Sequence, residues 1–162
     1  MGIKIQRRAK DERQAGSSLL EVLSCLLFPS RWKGRTASEL SRLDVQDKLP
    51  ALLYFRSKGC VACGLVDMRV VQACLKVGVS LAIIDRHPGI ESSIEEGGWQ
   101  DGKVGTVADY DGVINRAYGV AVYPCFVFVG GDGRIALKEV GASGKPETFD
   151  RHLLGRFEGL SF

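Results

Sequence analysis

The sequence has no long hydrophobic run and no strong excess of charge of either sign. No stretch of its 162 residues reaches the roughly 20 consecutive apolar residues that a membrane-spanning helix needs. The net charge of +3 is too small to indicate nucleic acid as a partner. The five cysteines are an odd number, which argues against a disulfide-stapled scaffold but allows one redox pair with further thiols. The composition, 45% hydrophobic and 25% charged, is typical of one globular domain.

The basic residues of the first 35 positions set the N-terminus apart from the rest of the chain. They are Lys4, Arg7, Arg8, Lys10, Arg13, Arg31, Lys33 and Arg35. Residues 17–28 are the most apolar part of this region, and Glu21 interrupts them. This pattern weakly resembles a signal sequence, a lipoprotein site or a prepilin site, but an amphipathic surface or partner-binding helix is favoured. We therefore predict a partly mobile N-terminal segment over 1–39 and a compact domain over 40–162.

Apolar runs and helical stripes alternate along the compact domain. Continuous apolar runs predict buried strands, and apolar residues at helical spacing predict covering helices. The predicted order is a strand at 50–55, a helix at 60–77, a strand at 79–84, an insert with a strand at 104–108, a helix at 111–118, strands at 120–129 and 134–140, and a helix at 146–157. This order predicts an α/β domain with a central mixed sheet flanked by helices.

Cys60-Val-Ala-Cys63 is the most distinctive motif, because it lies where the first predicted helix begins. The free N–H groups and the dipole of a helix N-terminus favour an anion there, which lowers the pKa of a thiol. Cys63, one turn further, is close enough to close a disulfide. Cys60 would then exchange with a substrate disulfide or thiol, and Cys63 would resolve the mixed disulfide.

Metal binding is the alternative reading of this cysteine pair. A structural zinc site needs four ligands, commonly from two such pairs, and the sequence has no second Cys-x-x-Cys. Thiolates of Cys60, Cys63 and Cys125 would instead suit copper(I) or an iron–sulfur centre in a binding or delivery module. A third possibility is an interaction domain that keeps the fold while the chemistry is idle. Redox exchange is favoured, with no metal and no cofactor.

Pro124 lies at the entrance of a strongly β-prone run. A proline cannot donate to a strand ladder, so its position there predicts the start of the paired part of the strand. Both a cis and a trans Tyr123–Pro124 bond are compatible with this position.

Together these segments resemble the thioredoxin superfamily over residues 48–158. The matching stretches are Leu52-Leu-Tyr-Phe55, Cys60-Val-Ala-Cys63, Ile83-Ile-Asp85, Ala117-Tyr-Gly-Val120, Tyr123-Pro124 and Gly131-Asp-Gly-Arg-Ile135. The long stretch between Asp85 and Ala117 is similar to the insertion of TlpA/ResA-like, suppressor-of-copper-sensitivity and conjugation-system relatives. The resemblance thus implies a thioredoxin-like fold with an insertion before a cis-proline strand, and thiol–disulfide oxidoreductase activity.

The resemblance also implies where substrates bind. Cys60 and Cys63 would be catalytic, Pro124 would face them, and Tyr123 and Gly59 would help to bind an extended substrate segment. The implied partners are protein thiols or disulfides and a redox partner protein. The implied compartment is the bacterial periplasm or its membrane surface, although the sequence has no clear signal peptide and leaves membrane association open.

The chain departs from the family pattern in three places. Gly59 stands where the family has tryptophan, and Tyr54 stands where thioredoxins have a buried acid. Asp85 or Glu96 is the expected substitute for that acid. Cys125 directly follows the proline; burial in the strand is favoured over a third thiol at the active site.

Overall fold

The computed structural model describes residues 23, 29–87, 99–100, 102–142 and 146–159. The described elements, numbered along the chain, are β1 Ala51–Arg56, α1 Val61–Val77, β2 Ser80–Asp85, β3 Trp99–Gln100, β4 Val104–Ala108, α2 Val113–Ala117, β5 Cys125–Val129, β6 Ile135–Val140 and α3 Pro146–Glu158, with short 3-10 turns at Pro29–Trp32 and Gln46–Lys48. No helix within these ranges has both the length and the apolarity that crossing a membrane requires.

The strands form one mixed six-stranded sheet in the order β3-β4-β2-β1-β5-β6. β1, β2 and β4 run parallel, while β5 and β6 add an antiparallel edge through a hairpin. The predicted mixed sheet is therefore confirmed. Residues 88–98, which hold part of the predicted insertion and Glu96, lie outside the described residues, so the insertion stays a prediction.

Successive side chains of the central strands point to opposite faces of the sheet, and this divides the hydrophobic core into two layers. Leu52 and Tyr54 of β1 face α1 and α3, where they pack with Val66, Val70, Phe149 and Leu153. Leu53 and Phe55 face the other side, against Ile114 and Tyr118. Because side chains of a strand point alternately to opposite faces, a continuous apolar run serves both layers at once.

Helix α1 buries a narrower face than its composition suggests. Val61, Leu65 and Met68 belong to the apolar stripe of the sequence, yet they are 79%, 57% and 54% exposed. The buried face consists of Cys63, Val66, Asp67, Val70, Ala73 and Cys74. The helix therefore directs a charged residue, Asp67, into the core.

The stretch from residue 32 to residue 37 packs on the body of the domain. Thr36 pairs with Arg134 beside β6, and the ring of Trp32 lies 2.6 Å from where a Cβ on Gly119 would be. The buried Lys138 of β6 lies 4.5 Å from the centre of the Trp32 ring. The contacts of the folded domain thus reach back into the segment predicted to be separate.

N–H groups in the first turn of helix α2 are bonded by the carboxylate of Asp109, because the residue just before the helix, Gly112, has no side chain to cap it. Oδ1 of Asp109 accepts from the Ile114 N–H at 3.1 Å, and Oδ2 accepts from the N–H and the side-chain amide of Asn115 at 2.8 and 2.6 Å. Burial works against the charged form, but these hydrogen bonds outweigh it and hold the pKa of Asp109 below its usual value. Asp109 thereby joins the end of β4 to α2.

Leu52→Ala should destabilise the domain strongly, because the side chain of Leu52 is fully buried on the face of the sheet that α1 covers. The expected loss is about 2–5 kcal/mol of unfolding free energy, measured by denaturant titration. Leu65→Ala, on the exposed side of α1, is the matched control and should change the unfolding free energy by less than about 0.5 kcal/mol. Equal losses in the two variants would contradict the described layering.

Asp109→Asn should make the stability of the domain depend less on pH in the acid range. The folded pKa of Asp109 is lower than the unfolded value, so its stabilisation is complete above the ordinary carboxyl pKa of about 4 and is lost as the pH falls through the folded value. Thermal unfolding from neutral to acid pH measures this. The wild type should lose more stability on acidification than Asp109→Asn does; parallel profiles would show that this carboxylate is not the stabilising group.

Candidate active site

The first turn of α1 is built around Cys60. Gly59 precedes it with φ +77°, a conformation that favours glycine, and the Cys60 N–H donates to the Ser57 carbonyl at 3.1 Å. Cys60 is the N-cap of α1, and its Sγ accepts from the Cys63 N–H at 3.1 Å. The helix therefore begins at the cysteine pair, as predicted. The Cys60 sulfur accepts the capping hydrogen bond that a serine, threonine, aspartate or asparagine oxygen commonly accepts.

Cys60 and Cys63 form a disulfide whose two halves differ in accessibility. Their Cα atoms are 5.2 Å apart, within the usual range for a disulfide. Cys60 is partly exposed, whereas Cys63 is completely buried. A partner protein can therefore reach the sulfur of Cys60 first. The helix N-terminus favours the thiolate there once the bond is reduced.

Pairing between β1 and β5 brings the proline to the same edge of the sheet. Phe55 lies opposite Cys125 in this antiparallel pair. If the same register continues by one residue, Pro124 lies beside Arg56, the last residue of β1 before the loop that holds Cys60. The Tyr123–Pro124 bond is cis, as the resemblance implies, and so is Leu49–Pro50. Pro124 is buried and Tyr123 is partly exposed.

A hydrogen bond to Asn115 of α2 fixes the side chain of Tyr123. Its hydroxyl donates to Oδ1 of Asn115 at 2.7 Å, and Asn115 is in turn bonded to Asp109. Burial raises the pKa of Tyr123 to about 12, so the hydroxyl keeps its proton at neutral pH and remains a donor. This chain of contacts anchors the residue before the cis bond to the end of β4.

A buried polar cluster lies beneath Cys63. The Tyr54 hydroxyl donates to Oδ1 of Asp67 at 2.6 Å and lies 3.4 Å from the Cys63 carbonyl oxygen. Arg56 Nη1 is 2.9 Å from Oδ2 of Asp67, and its Nε is 3.4 Å from Asp85; both are ion pairs without hydrogen-bond alignment. Burial first, and then the bond to Asp67, raise the pKa of Tyr54, which stays protonated.

Asp67 is the member of this cluster that sequence reasoning missed. Of the two expected acids, Asp85 does belong to the cluster, while Glu96 lies outside the described residues. The available signal was an acid four residues after Cys63, and thus on the same helical face. The exposed apolar residues at 61, 65 and 68 concealed it, because they widened the predicted buried stripe beyond the face that α1 buries.

The remaining cysteines of the described part are core residues. Cys74 is fully buried on the α1 face, and burial raises the pKa of its thiol. Cys125 is fully buried in β5 on the opposite face, as the favoured interpretation predicts. Across the described ranges, no group of three or more histidine, cysteine, aspartate or glutamate side chains is arranged to hold a metal ion. Cys25 lies outside these ranges.

Comparison by sequence finds neither a matching protein-family model nor a matching curated protein. Comparison by structure finds similar solved proteins. A secreted Mycobacterium tuberculosis disulfide oxidoreductase, described as homologous to E. coli DsbE, superposes with a TM-score of 0.55 at 23% identity and covers 78% of this chain and 96% of its own.

Two further solved structures agree with this match. The MTB protein DsbF has a TM-score of 0.57 at 17% identity, covering 84% of this chain and 99% of its own. The exposed lipoprotein thioredoxin Etrx1 of Streptococcus pneumoniae has a TM-score of 0.53 at 17% identity, covering 72% and 90%. The fold predicted from the resemblance is confirmed: this chain has the thioredoxin fold.

Proposed function

We propose that this protein is a thiol–disulfide oxidoreductase that exchanges the Cys60–Cys63 pair with protein substrates. The observation that carries the proposal is the disulfide at the N-terminus of α1, with an accessible Cys60 and a buried Cys63. The solved structures named above are disulfide oxidoreductases or thioredoxins by description, and they share the fold that creates this arrangement.

The exchange follows from the accessibility of the two sulfurs. In the reducing direction, the Cys60 thiolate attacks one sulfur of a substrate disulfide, and the other substrate sulfur leaves as a thiolate and takes up a proton. Cys63 then loses its proton to solvent and attacks Sγ of Cys60, which releases the second substrate sulfur. Two electrons pass to the substrate. A dithiol on a redox partner protein restores the pair by the same steps in reverse.

The surface around Cys60 supports a peptide substrate rather than only a small disulfide. Gly59 is exposed, and among the described residues none except its two chain neighbours comes within 4 Å of where its Cβ would be. Tyr123 precedes the paired part of β5, which supports a role for its backbone in bonding an extended substrate segment as an added strand. We therefore assign Gly59, Tyr123 and Pro124 to substrate binding.

Replacing either cysteine should stop the exchange at a different step. Cys60→Ser should abolish reduction of a disulfide substrate, because the accessible nucleophile is lost. Cys63→Ser should accumulate a mixed disulfide on Cys60, because no thiol resolves it. Mass spectrometry of the protein after incubation with a disulfide-bonded peptide distinguishes the two products.

A redox titration of the wild type in glutathione buffers should give one two-electron transition, which a variant carrying both Cys60→Ser and Cys63→Ser lacks. Cys74→Ala is the control, since it removes a buried thiol outside the site and should keep this transition. If the wild type forms no Cys60–Cys63 disulfide at any buffer potential, the proposed activity is wrong.

Tyr123→Phe should weaken peptide substrates selectively, because it removes the 2.7 Å hydrogen bond that anchors Tyr123 to Asn115. The loss of one neutral hydrogen bond, about 0.5–1.5 kcal/mol, corresponds to a rise in KM for a disulfide-bonded peptide of roughly two- to tenfold. The rate with oxidised glutathione should not change, because this small disulfide needs no extended pairing with the backbone of Tyr123.

Tyr110→Phe is the matched control for this variant, because Tyr110 is 67% exposed in the loop before α2. It should leave KM for the same peptide at the wild-type value. An equal rise in KM with peptide and with glutathione in Tyr123→Phe would exclude the peptide-positioning role.

A further inference from the structure

Lys138 of β6 is a buried cation whose contacts in the described part of the chain include no carboxylate. It is 1% exposed. Its Nζ donates to the carbonyl oxygens of Tyr118 at 2.8 Å and Gly119 at 2.9 Å, and it lies 4.5 Å from the centre of the Trp32 ring. Burying a charge is costly unless polar groups or an aromatic face surround it, so these three contacts compensate for the water that Lys138 has lost.

The two carbonyls that Lys138 binds lie at the start of the loop that carries the proposed substrate-binding residues. Tyr118 and Gly119 directly follow α2. Carbonyls at the C-terminus of a helix lack partners within the helix, and a lysine commonly binds them. The loop ends at Pro124, whose carbonyl accepts from the N–H of Gly141, just after β6, at 2.7 Å. Residues in and directly after β6 therefore hold the loop at both ends.

The middle of this loop has backbone groups without internal partners. The N–H and C=O groups of residues 121–123 make no hydrogen bond to any other residue that the structure describes, and these residues are partly exposed. Such groups are the ones that an added substrate strand bonds. Three contacts fix their direction: those of Lys138 and Gly141, and the hydrogen bond between Tyr123 and Asn115.

The stretch of chain that holds Trp32 covers Lys138 from outside. The Gly34 N–H donates to the Ile135 carbonyl at 2.7 Å, and the Ile135 N–H donates to the Arg35 carbonyl at 2.8 Å, so this stretch is fixed to the start of β6. The half-buried ring of Trp32 thereby lies over Lys138. The ring shields the ammonium group from water, which would otherwise compete with the two carbonyls for its hydrogen bonds.

We propose that Lys138 is a positioning residue for peptide substrates: it fixes the loop that presents Tyr123 and Pro124, and Trp32 keeps it bound to that loop. Both side chains act through the loop rather than on the reacting sulfurs. The N-terminal stretch around Trp32 thus takes part in substrate binding. This inference rests on the proposed function, since it assigns a role in binding the same substrates.

Lys138→Met tests the two hydrogen bonds, because methionine keeps most of the length of the side chain and removes its charge and donors. If the released loop takes the binding arrangement about a tenth to a third of the time, KM for a disulfide-bonded peptide rises roughly three- to tenfold. KM for oxidised glutathione and the redox potential of the Cys60–Cys63 pair should keep their wild-type values. Steady-state kinetics with both substrates and a redox titration measure these quantities; a loss of folded protein would change them together.

Lys48→Met is the matched control. Lys48 also donates to a backbone carbonyl, that of Asp44 at 2.6 Å, but it lies in the turn before β1. Its replacement should leave KM for the peptide at the wild-type value.

Trp32→Ala provides a second variant if Lys138→Met does not fold. Water should then reach Lys138 and weaken its hold on the loop, so KM for the peptide should rise, but by less than in Lys138→Met because the donors remain. Trp32→Phe keeps an aromatic face over the ammonium group and should stay closer to the wild type. Because Trp32 acts through Lys138, the double variant Trp32→Ala, Lys138→Met should have no higher KM than Lys138→Met alone.

The outcomes separate this inference from the proposed function. An unchanged KM for the peptide in folded Lys138→Met, or in Trp32→Ala if the former is unfolded, would overturn the positioning role while the wild-type redox transition stands. An equal rise in KM with peptide and with glutathione would overturn it as well. A double variant with a higher KM than Lys138→Met would remove Trp32 from the proposal. Absence of the redox transition in the wild type would remove the proposed function itself.

Discussion

The antiparallel pairing of β1 with β5 is the constraint on which the site depends. β1 ends at Arg56 and leads within four residues to Cys60, and β5 begins directly after Pro124. Because Phe55 lies opposite Cys125, the cysteine loop and the cis proline meet at one edge of the sheet, although more than 60 residues separate them in the chain. Parallel pairing of β1 with β2 brings Asp85 to the same edge. A shift of this register by one residue would turn each side chain of β5 to the opposite face and separate the groups.

The two layers of the domain serve this edge in different ways. On one side, α1 supplies Cys63 and Asp67, while β1 and β2 supply Tyr54, Arg56 and Asp85, and together these residues form the largely buried cluster beneath the cysteine pair. On the other side, α2 supplies Asn115, which links Asp109 to the Tyr123 hydroxyl. The cysteine pair is thus contacted from one face of the sheet, and Tyr123, which precedes the cis proline, is positioned from the other. Buried hydrogen bonds such as those between Asp109 and Asn115 also help to hold the domain in one arrangement.

Local patterns were sufficient for the elements and for the reactive pair. Continuous apolar runs identified β1 and β2, because strands covered on both faces need no polar alternation. Cys60 and Cys63, Tyr123-Pro124 and the hairpin before β6 were recognisable for similar local reasons. The predictions were less accurate where the burial of a side chain depends on residues distant in the chain. Helix α1 exposes Val61, Leu65 and Met68 and buries Asp67, whereas hydrophobic periodicity alone predicts the opposite for these four residues. Helix α2 is shorter than the predicted 111–118, because Gly112 takes φ +69° and Asp109 defines its start.

A cysteine pair at the start of a helix after a buried strand could be predicted from neighbouring residues alone, because helix entry, strand hydrophobicity and turn residues are encoded within a few positions of one another. The accessible sulfur, the acid beneath the other sulfur, and the strand that meets the cysteine loop could be identified only in the folded domain. Those properties arise from contacts between residues far apart in the chain. Burial and charge compensation are settled by three-dimensional packing, for which the local sequence contains no direct signal.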